Sequence, residues 1–292
     1  MATGKEIKAR IKSVKNTGKI TKAMELISTV KMKKAQDLAV HARPLSLEAA
    51  RIFAHLDLAA SNPTSFGKEL VLIVSSNKGL CGGYNVNVFK EVTRLTRENP
   101  NTKFEFVTAG KRSRDFVART GNTLLSDFSE VVKDTIHPAD SKVVSRFLQN
   151  AFKNGSYDRV RVIYSYYISA INQRAVTKTL FPLSKTEITE FFDSLGIPTQ
   201  TKSTTAEYEF EPSKAVIMQE VLPLIYDLIV HEALLEGKAS EHASRMIAMK
   251  NAKDSANKKV KVLTLTYNKA RQAAITKEVS EIVSGVESMK DA

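Results

Sequence analysis

The sequence has no tryptophan, a single cysteine and only 12 glycines in 292 residues. One cysteine, Cys81, excludes an internal disulfide, and a reducing compartment is the simplest setting for it. Scarce glycine and absent tryptophan suit helix better than an all-β sandwich. No run approaches the ~18 consecutive apolar residues of a membrane span. The opening MATGKEIKARIKS lacks the apolar stretch of a secretory signal. Acidic residues are also in deficit, with 31 Asp and Glu against 44 Lys and Arg, a formal net charge of +13. Such an excess predicts an acidic partner: nucleic acid, an anionic membrane surface or an acidic protein surface. The apolar fraction of 42% is enough for a real core.

Nothing in the sequence assembles a catalytic constellation. His41, His55, His137, His231 and His242 have no metal-ligand spacing. Cys81 has no CxxC partner, and no nucleophile-elbow motif is present. Catalysis by this chain alone is not expected, and neither a metal nor a cofactor is implied.

What is present is an unusually long periodicity at both ends. Ala35, Leu38, Ala42, Leu45, Ala49, Ile52, Leu56 and Ala59 recur in steps of three and four. Ile7, Ile11 and Val14 open a similar register upstream, with Ile20, Met24 and Ile27 between the two. The pattern predicts a helix over about 5–60, ~80 Å long at ~1.5 Å per residue. Pro44 is read as a bend in it. At the other end Val221, Ile225, Leu228, Glu232, Leu235, Ala239, His242, Met246, Met249, Lys253, Ala256, Val260, Leu263, Tyr267, Ala270 and Ala274 keep the same spacing. Only Glu232, His242 and Lys253 break its apolar character. Beyond it the phase moves to Ile275, Val279, Ile282 and Val286. A helix over 213–286 would span ~110 Å. A sustained 3.5-residue period predicts that the two ends wind around each other as an antiparallel coiled coil.

Between them the chain alternates strand and helix signals. Strands are predicted over 69–76, 104–109, 122–127, 159–166 and 173–180, and helices over 86–97, 112–119 and 141–152. The last strand is expected to pair beside the one before it. The fold class is therefore α/β plus a long antiparallel coiled coil: paired terminal helices (1–61 and 207–292) with a small open α/β domain (62–206) inserted between them. Pro198–Ala206 reads as a surface loop. The turn SSNKGLCGGY (Ser75–Tyr84) follows a strand and precedes a helix, where amides can meet phosphate. Its Gly79, Gly82 and Gly83 spell neither a dinucleotide fingerprint nor a P-loop, so a tight structural turn is the favoured reading.

The basic residues are segregated. Between Lys5 and Lys34 stand ten lysines and arginines against Glu6 and Glu25. Lys8, Lys12, Lys15, Lys19 and Lys22 form a stripe along one helix flank. Lys250–Lys277 carries eight basic residues against Asp254 alone. Antiparallel pairing would bring both zones to one end. A basic coiled coil that binds nucleic acid is the rival reading. Lysine dominates the stripe, however, whereas base-reading helices offer Asn, Gln and Arg. Many weak exposed charges suit a surface that passes several partners in turn.

Three segments, in order, carry a family resemblance: KEIKARIKSVKNTGKITKAMELISTVKMKKAQ, SSNKGLCGGYN, and SEHASRMIAMKNAKDSA with LTYNKARQAAITKEVSEIVSG. Together they resemble the gamma subunits of F-type ATP synthases over nearly the whole chain. The resemblance implies a non-catalytic rotor in the central stalk, passing torque between a proton-driven c ring and a head of alpha and beta subunits. It implies that Lys22, Met24, Lys31, Lys33 and Lys34 face an acidic loop of beta, and that Arg271, Gln272, Thr276 and Glu278 meet loops of the head. Tyr208 and Glu211 would belong to the foot on the c ring and the epsilon subunit. The absence of a chloroplast-type cysteine insertion excludes thiol regulation, and that of an organellar targeting segment favours a bacterial complex, with a processed mitochondrial chain on the matrix face as the alternative. The chain would lie on the cytoplasmic face of the inner or plasma membrane, one copy per complex, with no nucleic acid partner.

Overall fold

A computed structural model of the chain describes residues 4–54, 67–194, 211 and 213–290. It holds α1 (Gly4–Ala54), β1 (Lys68–Val74), α2 (Tyr84–Glu98), β2 (Lys103–Ala109), α3 (Lys111–Arg119) and β3 (Thr123–Asp127). These are followed by α4 (Pro138–Lys153), β4 (Arg159–Tyr167), β5 (Gln173–Phe181), α5 (Lys185–Ser194) and α6 (Lys214–Lys290). Residues 55–60, expected to complete the first long helix, and the loop predicted at Pro198–Ala206 lie outside the described residues. Helix α1 continues through Pro44, and α6 through Pro223.

The chain divides into two compact units, Ser28–Arg245 and the pair Met1–Ile27 with Met246–Ala292. In the first, one mixed five-stranded sheet runs in the order β3-β2-β1-β4-β5. Its strands are parallel except for β5, which pairs antiparallel with β4. Strand alternation explains the layering. Leu70, Leu72 and Val74 of β1 pack with Val144 and Leu148 of α4 and with Ile225, Ile229 and Leu234 of α6. Val71 and Ile73 point the other way, onto Val88 and Val92 of α2 and Val117 of α3. Both faces are covered, so β1 reads as an unbroken apolar run rather than an alternating one.

Helix α5 has no counterpart among the predicted elements. Its start carries a capping box: Ser184 Oγ accepts from the Glu187 amide while Glu187 Oε2 accepts from the Ser184 amide. Ile188 and Phe192 fix its buried face.

In the second unit the burial of α6 follows the predicted seam. Met249 and Ala256 are buried and Lys253, Val260, Leu263, Tyr267 and Ala270 half-buried, whereas Ala274 is exposed. On α1 the inward line runs through Ile7, Ile11, Val14, Gly18 and Thr21. Ile20 and Ile27, by contrast, are 60% and 55% exposed. At Gly18 the two helices come close, since a Cβ there would lie 3.5 Å from Cβ of Ala256. Lys253, which breaks the apolar seam, is satisfied by Glu25 at 2.7 Å, and this hydrogen bond raises the lysine's pKa.

Candidate partner interface

Helical periodicity sets which side chains leave the protein. Lys8, Lys12, Lys15, Lys19 and Lys22 are all exposed. The first four line one shallow groove with Lys5, Ile11 and Asn16. Met24 is half-buried, and Lys33 and Lys34 are exposed. Lys31 differs, because its Nζ lies 2.5 Å from Asp134 Oδ2. With both side chains more than a third exposed, that pair is worth at most ~1 kcal/mol. It nevertheless occupies the charge. Between these lysines the apolar Ile20, Leu26, Ile27 and Val30 also face outward. Between Lys5 and Ile27, α1 thus offers a mixed basic and apolar surface.

Arg271, Gln272, Thr276 and Glu278 are exposed on α6. All described side chains from Arg271 to Val286 are exposed, and Ile275, Val279, Ile282 and Val286 form an apolar stripe there. Glu211 is exposed, while Tyr208 lies outside the described residues.

The glycine turn after β1 is built to be rigid. Asn77 Nδ2 donates to the carbonyls of Ser129 and Val132, and its Oδ1 accepts from the Lys111 amide. Asn85 Oδ1 takes the Ser76 amide, and the Tyr84 amide donates to Cys81 O. Gly82 has φ 56°, and Leu80, without glycine's freedom, stands at φ 61°. At the two ends of the turn, the amides of Ser76 and Tyr84 are thus committed to the protein.

In an open α/β sheet, ligands enter at the carboxyl ends of strands where the order reverses, here between β1 and β4. A charged cluster from α6 occupies that end. Arg245 donates from Nη2 to Lys78 O at 3.0 Å and from Nε to Gly79 O at 3.3 Å. Its Nη1 lies 2.8 Å from Glu241 Oε1, and Glu241 Oε2 is 3.1 Å from Lys238 Nζ. Burial opposes ionisation of Glu241, but Lys238 and Arg245 hold its pKa below the ordinary value. Burial pushes the neighbouring His242 down to about 4, so it is neutral at pH 7. No signal in the sequence marked this cluster except one polar break in the seam, His242. Among the described residues no group of His, Cys, Asp and Glu could hold a metal. No described helix is long and apolar enough to cross a membrane.

A family model described as ATP synthase matches residues 3–289. The chain is 36% identical to the ATP synthase gamma chain of Bdellovibrio bacteriovorus, across 99% of this chain and 100% of that one. It is 34% identical to the ATP synthase gamma chain of Pelotomaculum thermopropionicum, with the same coverage. Among solved structures, a chain of the Euglena gracilis mitochondrial ATP synthase (OSCP/F1/c-ring) superposes with a TM-score of 0.68 at 18% identity. That match covers 98% of this chain and 94% of the other. A chain of the Tetrahymena thermophila mitochondrial ATP synthase central stalk and c-ring gives 0.55 at 23% identity, covering 80% and 99%.

Proposed function

The chain belongs to the ATP synthase gamma family, as a non-catalytic rotor subunit of the central stalk, and from that premise we propose how its surfaces divide the work. The terminal helices (1–61 and 207–292) form an antiparallel coiled coil around which the alpha and beta subunits of the head are arranged. The central α/β domain (62–206) lies toward the membrane, against the epsilon subunit and the c ring. Torque passes along the chain between c ring and head. Three contacts support antiparallel pairing: Gly4 with Tyr267, Gly18 with Ala256, and Glu25 with Lys253. Positions rise on one helix as they fall on the other.

The observation that carries the reading is the full-length family match combined with an outward basic face on α1. Lys8, Lys12, Lys15, Lys19, Lys22, Lys33 and Lys34 meet an acidic, changing surface of the head with Met24 between them. Lys31, already paired with Asp134, contributes only if that pair opens. Arg271, Gln272, Thr276 and Glu278 contact loops of the head, and Tyr208 and Glu211 belong to the foot. The complex is membrane-associated, and we place this subunit at the cytoplasmic face of a bacterial inner or plasma membrane, one copy per complex.

The test is a tagged recovery of the chain from gently solubilised membranes of its own cell. Recovery of two larger nucleotide-binding subunits in excess, with ATPase activity, is expected. Recovery alone or with nucleic acid would overturn the assignment. A second measurement reverses charge across Lys8–Lys22. Assembly or activity should fall in a salt-dependent way, and indifference at every ionic strength removes the stripe from the mechanism.

A further inference from the structure

We propose that the contact of α6 with the carboxyl ends of β1 and β4 is the joint through which twist passes between the sheet and the helix, with Arg245 as its positioning residue. The inference rests on the rotor reading and names where within this chain the load is carried. Three ties make the joint. At Gly237 a Cβ would lie only 2.8 Å from Val74 Cγ1, so the helix backbone presses directly on the end of β1. Ser240 Oγ donates to Ser165 O of β4 at 2.8 Å. Arg245 donates to the carbonyls of Lys78 and Gly79 in the turn after β1.

The angular arrangement suits torque. At about 100° per residue, Ser240 projects about 60° to one side of Gly237 and Arg245 about 80° to the other. Rotation of α6 about its axis in either sense therefore stretches one of the flanking ties. Pure apolar packing of similar volume would resist separation equally well, but it has no directional bonds to oppose turning. The guanidinium is a rigid planar fork, and Glu241, itself held by Lys238, orients it. The far side of the joint is equally firm, because Asn77 and Asn85 lock the turn onto the rest of the sheet domain.

The experiment uses the whole ATP synthase in inverted membrane vesicles and reads two quantities: ATP hydrolysis and protons pumped per ATP. Arg245→Lys keeps the charge and loses the fork. Hydrolysis should stay within about twofold of the parent while pumping per ATP drops about threefold or more. With assembly intact, a parallel fall in hydrolysis, or no change in pumping per ATP, overturns the proposal. Should Arg245→Lys fail to assemble, Ser240→Ala decides, since it leaves no charge stranded. A lower pumping ratio supports the joint, and an unchanged one overturns it. Parent vesicles in which this chain does not accompany the ATPase would overturn the rotor reading itself, an outcome distinct from failure of the joint.

Discussion

The carboxyl of Glu236 lies on α6 beside Glu232, facing Lys178 of β5 and Tyr164 and Tyr166 of β4. Burial, aided by the Glu232 charge, pushes its pKa up to about 8 against an ordinary 4.5. Between those values the folded chain keeps a proton that the unfolded chain has lost. This group's contribution to stability is therefore fully present below about pH 4.5 and is lost as pH rises toward 8. Glu236→Gln should flatten that slope and stabilise the chain at alkaline pH by roughly 1–3 kcal/mol. Urea midpoints at acidic and alkaline pH would check it, and an unchanged slope in the variant would sink the assignment. His242 has the opposite sign. Its folded pKa of about 4 lies below the ordinary 6.5, so stability falls as pH drops through that interval. Gly237→Ala gains helix propensity of ~1 kcal/mol, but the new methyl collides with Val74. A net loss of about 1–3 kcal/mol is expected, read as a lower thermal midpoint. A raised midpoint would mean that the β1 end yields easily.

At the scale of elements, α6 was legible because its apolar period persists for many turns and no competing pattern fits it. The strands and shorter helices fell within three residues of their predicted bounds, since nearly all carry a buried run or a clear amphipathic face; β3, with no buried residue, is the exception. Helix α5 went unread: Ile188, Phe191 and Phe192 make too short a pattern, and its start is set by the Ser184–Glu187 box. On α1 the period was right, but hydrophobicity named the wrong members. Gly18 and Thr21 continue the inward line of Ile7, Ile11 and Val14, while Ile20 and Ile27 fall off that line and face out. Two substitutions test that line at Gly18. Gly18→Ala, whose methyl would meet Ala256 at an ordinary contact distance, should be neutral or stabilising by up to ~1 kcal/mol. Gly18→Leu should cost about 1–3 kcal/mol by overpacking. Thermal melting of both variants gives the order, and equal melting would mean that Gly18 is not at a tight contact.

At the scale of the molecule, which lysines are exposed was readable because a helix converts spacing into direction. Lys31 was not, since its partner Asp134 lies 103 positions away and only the fold brings them together. The ties of Arg245 to the turn after β1 escaped for the same reason, their acceptors being the backbone carbonyls of Lys78 and Gly79, which carry no sequence signal. The outermost part of α6 poses the reverse case, in which the pattern is plain and this chain supplies no contact for it among the described residues. Ile275, Val279, Ile282 and Val286 keep a helical stripe and are each at least half exposed. An apolar stripe left bare at ~25 cal/mol per Å² of buried surface gains its stability only when something else covers it. The head of the complex is that cover under the proposed function. Deleting Arg271–Ala292 should therefore leave the melting of the α/β unit in place while lowering pumping per ATP in the assembled complex. If the truncated chain loses its α/β fold and the complex still couples fully, the stripe serves the fold of this chain and not its partners.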